Sequence, residues 1–416
     1  MSNQPAVKIK PKISSVMWKT VSEACNLACD YCYYSTCNGR PGKFNQIEER
    51  KLEKFIKEYM EMSQGLVSFI WQGGEPLLAG LDFFEKVVYY QKKYSTKFKR
   101  ASNSIQTNGI LINKYWAQFF SQHGFFIGVS LDGPKEINDQ RRVTSTGRPS
   151  FDLVMRGIEH LRNHRVEFNI LTVIHETNVH CAKDLMNFYQ QENFPYVQFI
   201  PCMDFKAQQV EQPGVFAITP EEYGAFLCEA FDHWYNDGQP ITSVRFFDNM
   251  LTGYLNQTAE HCIHQETCPK ALVFEQNGDA YPCDFYMDEA YRLGNINVDS
   301  FEDIAMNPKL DAFVNQKKNL PEVCKSCEFL KLCHGGCPRN RHNNASENEQ
   351  SKTYFCHSYK QIYRYAHNRM KLLADKIKQD KLQTLIKVAY PLPKDNDMCI
   401  CGSNKTFASC CKRLIL

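Results

Sequence analysis

The chain has 416 residues, room for two or three domains, and its 49 Lys and Arg against 46 Asp and Glu leave a formal charge of +3. With no long basic run, no stretch near the about 18 apolar residues of a membrane span and no apolar segment behind the lysines of MSNQPAVKIKPK, neither nucleic acid, nor a membrane, nor export is expected. Nineteen cysteines then read as metal ligands in a reducing cytoplasm rather than as disulfides.

Taken in order, short apolar runs at Val16–Thr20, Val67–Trp71, Asn103–Thr107, Phe126–Leu131, Glu167–Val173 and Tyr196–Pro201 predict six strands. Helical spacing falls between and after them, at Glu48–Met62, Asp82–Tyr94, Lys114–His123, Phe151–Asn163, Ala182–Gln191 and Pro220–Tyr235. This βα alternation predicts an α/β fold with a parallel sheet covered by helices, and six units are too few for a closed eight-fold barrel. The pattern changes after Asp237-Gly238. Arg245–Gln257 reads as one more helix, and Cys262 to Cys356 is turn-rich, with metal expected in place of a conventional core. From Ser358 to about Val388 a helix returns, with Ile362, Ala366, Met370, Leu373 and Ile377 on one stripe. Pro391 and Pro393 end it before a last cysteine cluster. The expected divisions are 14–237, 238–357, 358–390 and 397–416.

The run CNLACDYC places Cys25, Cys29 and Cys32 in CxxxCxxC spacing. Three thiolates hold three irons of a [4Fe–4S] cube and leave the fourth iron open to a substrate, whereas electron carriers usually fill all four positions. A zinc knuckle is the alternative, but three ligands without a nearby histidine suit a closed tetrahedral site poorly. At this motif, with aromatic Tyr31 before the third cysteine, the chain resembles the radical S-adenosylmethionine (SAM) enzymes. The resemblance implies an open (β/α)6 partial barrel. It also implies SAM chelated on the open iron and cleaved there to a 5′-deoxyadenosyl radical.

Ligands in parallel α/β folds sit beyond the carboxyl ends of the strands. Trp71-Gln72-Gly73-Gly74-Glu75-Pro76 ends the second strand, and it is either a strand-to-helix turn or a close backbone approach to a ligand. One βα unit after the cluster motif, it resembles the family's GGE motif, which contacts the SAM amino group through Gly73, Gly74 and Glu75. Gln106-Thr107-Asn108-Gly109 and Ser130-Leu131-Asp132-Gly133-Pro134 close the next two strands. Ser130 is a candidate SAM ligand there, while Asp132-Gly133 is equally accounted for as a turn. Arg156, on the following helix, is either a SAM-carboxylate partner or a solvated helix residue.

The region 262–356 holds eight cysteines, enough for two closed four-ligand sites of zinc or of iron–sulfur. Together with the N-terminal motif it resembles the SPASM extension of peptide-modifying radical SAM enzymes, which carries two auxiliary [4Fe–4S] clusters, three in all. The family arrangement assigns Cys262, Cys268, Cys283 and Cys337 to one cluster and Cys324, Cys327, Cys333 and Cys356 to the other. Leu293-Gly294-Asn295-Ile296 resembles the turn between these ligands. Asn277-Gly278-Asp279-Ala280-Tyr281-Pro282-Cys283-Asp284-Phe285-Tyr286, with CNLACDYCYY, WQGGEPLLAGLDFF and SLDGPKEI, resembles the anaerobic sulfatase-maturating enzymes from about Ser14 to Ala374.

That likeness implies that Asp284 is the catalytic base and that Tyr34 and Gln72 contact a peptide or unfolded protein substrate. It implies oxidation of Cys or Ser to Cα-formylglycine, with a flavodoxin- or ferredoxin-type electron donor. A turn residue or an acceptor near a cluster sulfur is the other reading of Asp284. A SPASM maturase that crosslinks a ribosomally made peptide, and a zinc-rich adaptor, are the other functions compatible with the chain.

Cys399, Cys401, Cys410 and Cys411, in CICGSNK and CC, resemble the SEC-C motif. Two cysteine pairs across a short basic loop make one tetrahedral zinc site. They imply either a docking module for a protein partner or a passive stabilising knob. Cys181, Cys202 and Cys228 read as buried small hydrophobes, and Cys37 has no ligand pattern.

Overall fold

The computed structural model describes residues 11–33, 44–202, 218–341, 352–388, 393–399, 403 and 405–414. Tyr34, Cys37 and Cys401 lie outside the described residues.

Seven strands are parallel neighbours in chain order: β1 (Val16–Lys19), β2 (Gly65–Gln72), β3 (Lys99–Thr107), β4 (Phe126–Ser130), β5 (Phe168–Ile174), β6 (Tyr196–Pro201) and β7 (Ser243–Val244). The helices that cover them are α1 (Glu49–Met62), α2 (Leu81–Tyr94), α3 (Lys114–His123), α4 (Lys135–Arg141), α5 (Phe151–Asn163), α6 (Ala182–Gln191), α7 (Pro220–Tyr235) and α8 (Arg245–Tyr254). Each has a local cause. In α1, Leu52, Phe55, Ile56, Tyr59 and Met60 recur at helical spacing and are buried against the sheet. Asn113 caps α3 by accepting from the Tyr115 and Trp116 amides, and Gly124 ends it in the left-handed region at φ 63°. A Thr219/Glu222 capping box followed by Pro220 opens α7.

The sheet does not end at β1. On its far side β8 (Leu272–Phe274) pairs parallel with β1, and β9 (Asp279–Tyr281) and β10 (Gly294–Asn295) continue antiparallel. The result is one ten-stranded sheet in the order β10-β9-β8-β1-β2-β3-β4-β5-β6-β7 among the described residues. The cysteine-rich region is therefore continuous with the barrel through main-chain hydrogen bonds. Trp18 stacks on Phe274 with ring centroids 5.5 Å apart, and Phe55 lies 5.3 Å from the same ring. Lys54 donates to the Ile296 and Asp299 carbonyls, and Glu58 accepts from the Phe301 amide at 2.8 Å.

Short helices α9 (Phe301–Ala305), α10 (Pro308–Gln316), α11 (Glu322–Lys325) and α12 (Leu330–Cys333) hold the rest of this region, and α13 (Cys356–Val388) follows. Ile362, Ala366, Met370 and Leu373 of its stripe are buried. Arg369 pairs with Asp232 of α7 at 2.6 Å, and the Ser358 hydroxyl donates to the Pro220 carbonyl. No described helix is long and apolar enough to cross a membrane.

Candidate active site

The carboxyl ends of β1 to β6 open into a cavity of ≈260 Å³. Cys25, Cys29 and Cys32 line it together, with Gln72, Gly73, Gly74, Ser130 and Asp284 around them. Burial pushes the Cys25 thiol up to about 11 and Cys29 up to about 12. Such thiols ionise only when a metal takes the proton's place, so the three residues suit a bound cluster.

The glycine pair has a steric reason. Gly73 and Gly74 have φ of +93° and +32°; a Cβ on Gly74 would stand 2.0 Å from the Ala24 carbonyl oxygen, and one on Gly73 3.0 Å from Lys19 Cα. The end of β2 thus nests directly on the backbone of the cysteine loop, and the Glu75 amide donates to the Ala24 carbonyl at 2.8 Å. Glu75 itself is fully buried behind the cavity wall. Its carboxylate accepts from the Leu77 and Asn108 amides and the Thr107 hydroxyl, and burial still pushes its pKa up to about 7.

Beneath the loop, Asp132 and His175 are completely buried. The Tyr31 hydroxyl donates to Asp132, and Arg142 Nη1 donates to the Tyr31 oxygen at 2.7 Å. Burial opposes ionisation of Asp132, yet His175, Arg142 and Tyr31 together hold its carboxyl below the usual range. Arg142 lines the cavity, and its buried Nε has no hydrogen-bond partner. That orphaned donor suits an anionic ligand such as the carboxylate of SAM. Arg156 does not come to this wall: it is an exposed residue of α5, on the side opposite buried Val154 and Ile158. Ser130 stays at the mouth, its hydroxyl accepting from Gln106 at 2.9 Å.

Across the cavity Asp284 follows just after β9. Lys19, at the end of β1 and fully buried, pairs with one carboxylate oxygen, and the Tyr33 hydroxyl donates to the other. Gln72 Nε2 donates to the Tyr33 oxygen at 2.9 Å. Sequence reasoning passed over Lys19 and Tyr33. A lysine closing an otherwise apolar strand was the available signal for Lys19, and nothing local marks Arg142.

The eight downstream cysteines gather in two sets. Cys324, Cys327, Cys333 and Cys356 line one cavity with Phe329, Tyr359 and Tyr363. Burial raises the thiols of Cys262, Cys268 and Cys283, and Cys337 adds to the rise in all three, so Cys337 is a near neighbour of each. Four thiols around one point suit a closed four-thiolate centre. In the tail, Cys399, Cys410 and Cys411 have their sulfurs within 4.8 Å of one another, a spacing that suits one tetrahedral ion. Cys202 lines the main cavity, while Cys181 and Cys228 are half-buried.

A parallel α/β partial barrel with three cysteines at its mouth and a cysteine-rich extension on its edge defines a SAM-binding radical enzyme with iron–sulfur clusters. Residues 20–189 match the Radical SAM superfamily, 266–328 the SPASM iron-sulfur cluster-binding domain and 396–413 the SEC-C motif. The chain is 36% identical to a cysteine-type anaerobic sulfatase-maturating enzyme of Clostridium perfringens, over 88% of this chain and 99% of that protein. It is 34% identical to a serine-type enzyme of Bacteroides thetaiotaomicron, over 84% and 88%. The solved structure of native anSMEcpe with bound AdoMet and Cp18Cys peptide superposes with a TM-score of 0.80 at 35% identity, over 87% of this chain and 99% of that one. The chain belongs to the anaerobic sulfatase-maturating enzyme family. Streptococcus suis SuiB bound to its precursor peptide shares the fold, at TM-score 0.57 and 14% identity over 79% and 72%.

Proposed function

We propose that this chain oxidises a cysteine or serine of a sulfatase peptide to Cα-formylglycine, using SAM and three [4Fe–4S] clusters. The observation that carries the reading is Asp284 facing the same cavity as Cys25, Cys29 and Cys32. With cluster and SAM bound, the centre supplies a radical that takes a hydrogen atom from the substrate Cβ.

The protein's own residues do the rest. Cys25, Cys29 and Cys32 hold the cluster, and Gly73, Gly74 and Ser130 shape the SAM end. Arg142 gives that end the cation, a role for which Arg156 is one candidate from sequence alone. Asp284 accepts the proton of the substrate thiol or hydroxyl, within hydrogen-bond reach. Gln72 and Tyr34 contact the peptide. Removing a hydrogen atom and a proton leaves the substrate one electron to give up, and clusters held by the two four-cysteine sets would be the acceptors for it. A thioaldehyde from cysteine then needs hydrolysis, and serine yields the aldehyde directly. A flavodoxin or ferredoxin supplies the first electron, in a reducing cytoplasm. The SEC-C tail holds one zinc and offers its lysine-bearing loop to a protein partner.

Anaerobic turnover of the reconstituted enzyme with SAM on sulfatase-type peptides carrying Cys or Ser, read by mass spectrometry with aldehyde trapping, tests the reading. An aldehyde at the target residue is the expected product. SAM cleavage without peptide oxidation, or a crosslink without aldehyde, overturns it.

A further inference from the structure

Two cations, Lys317 and Arg341, lie beside the two four-cysteine sets. Lys317 is 1% exposed, and its Nζ donates to the carbonyls of Cys262, Ile263 and Gln265. Three acceptors around one nitrogen use three N–H donors, which an ammonium has and a neutral amine lacks. Arg341 is half-buried and charged at every ordinary pH. Its guanidinium donates to the carbonyls of Gly335 and Asn319 and to that of Lys317 itself, at 3.2, 2.8 and 3.1 Å. Neither side chain forms an ion pair with a carboxylate among the described residues.

The contacts put both cations against the cysteine loops, Lys317 Nζ on the carbonyl of Cys262 itself and Arg341 Nε on that of Gly335, between Cys333 and Cys337 in the chain. Lys317 faces Cys262, Cys268 and Cys337 of one set and Cys333 of the other. Arg341 faces Cys337 of the first and Cys324 and Cys333 of the second. A buried cation with only carbonyl partners is costly unless an anion lies nearby. Four thiolates at each set are that anion, and extra negative charge on either set is stabilised by the same two cations.

We propose that Lys317 and Arg341 form a shared cationic bridge that raises the reduction potentials of both auxiliary clusters, setting them to accept the electron released by substrate. Net charge around a cluster is one of the levers on its potential. Lys317 also ties down the loop carrying Cys262, so each residue acts through the clusters as a positioning and tuning group. The inference rests on both sets holding iron–sulfur clusters, and it stands apart from the identity of the peptide product.

The test is an EPR-monitored redox titration of the fully loaded enzyme, without SAM or peptide. Lys317→Met and Arg341→Gln should each lower at least one auxiliary midpoint potential by about 59 mV, a tenfold change in the one-electron equilibrium. Lys317→Arg, which keeps the charge, should leave the potentials at the wild-type value. Unchanged potentials in a charge-removing variant with full iron overturn the proposal, as does a shift in Lys317→Arg equal to that in Lys317→Met. If Lys317→Met loads iron poorly, Arg341→Gln decides alone. Zinc in place of iron at either set, seen by metal analysis of the wild type, refutes the cluster assignment itself and so is distinct from failure of the bridge.

Discussion

The Lys19–Asp284 pair is open to a double-mutant cycle. Lys19 is fully buried and Asp284 has a side-chain exposure of 15%, so Lys19→Met strips a nearly desolvated carboxylate of its cation. Breaking one side of a buried pair costs about 3–5 kcal/mol. Asp284 keeps the Tyr33 hydroxyl and a little solvent, which puts the loss nearer about 3 kcal/mol. In Lys19→Met/Asp284→Asn no charge is left stranded, so the double variant should cost about 2 kcal/mol less than the sum of the singles. Anaerobic urea denaturation of the cluster-loaded protein, followed by the fluorescence of neighbouring Trp18 and the other tryptophans, reads these differences as midpoint shifts at constant slope. Single costs that add to within about 0.5 kcal/mol would refute the view that the two residues act as one unit.

Asp284→Asn alone should preserve SAM cleavage while lowering peptide oxidation about 10²- to 10⁴-fold, the usual worth of a positioned base; the ratio of deoxyadenosine to oxidised peptide reads this. Gly74→Ala drives a methyl into the Ala24 carbonyl, so iron and sulfide per chain should fall after reconstitution, and a full cluster load would contradict the steric account. Burial, with Glu260 adding and the Ser243 hydroxyl opposing, raises Asp248 from 3.8 to about 6. The folded state therefore binds this proton more tightly than the unfolded one, a contribution present below pH 3.8 and lost as pH rises through 6. Asp248→Asn should be more stable than wild type above pH 6 by about 2–3 kcal/mol, with the gain vanishing toward pH 4 in thermal melts. Cys410→Ser with Cys411→Ser should remove zinc while leaving the iron content unchanged, as read by elemental analysis.

The parts of the fold visible in the sequence are those with local causes. Apolar runs such as Val67–Trp71 and stripes such as that of α1 are imposed by burial on one short segment, and cysteine spacing carries its ligand chemistry with it. What escaped is set by distant partners. β7 has two residues and β8 and β9 three each, too few for any periodicity, and their pairing depends on a sheet assembled elsewhere. The polar heptad of α4 has no apolar stripe to announce it, and so Arg142 at its end was hidden. Arg156 sat on the more obvious helix, but the stripe formed by Val154, Gly157 and Ile158 turns it to solvent. Lys19 and Asp284 are separated by most of the chain, and no local pattern links them.

The continuity of the sheet across β8, β1 and β2 has a geometric consequence. Lys19 closes β1 and Asp284 follows the hairpin that β8 makes with β9, so the span between the cysteine loop and Asp284 is fixed by main-chain register. A slip of one residue along a strand moves a side chain about 3.3 Å, longer than the hydrogen bonds that hold Asp284. The spacing across the cavity is thus quantised in strand steps: it is wrong by a whole step or right.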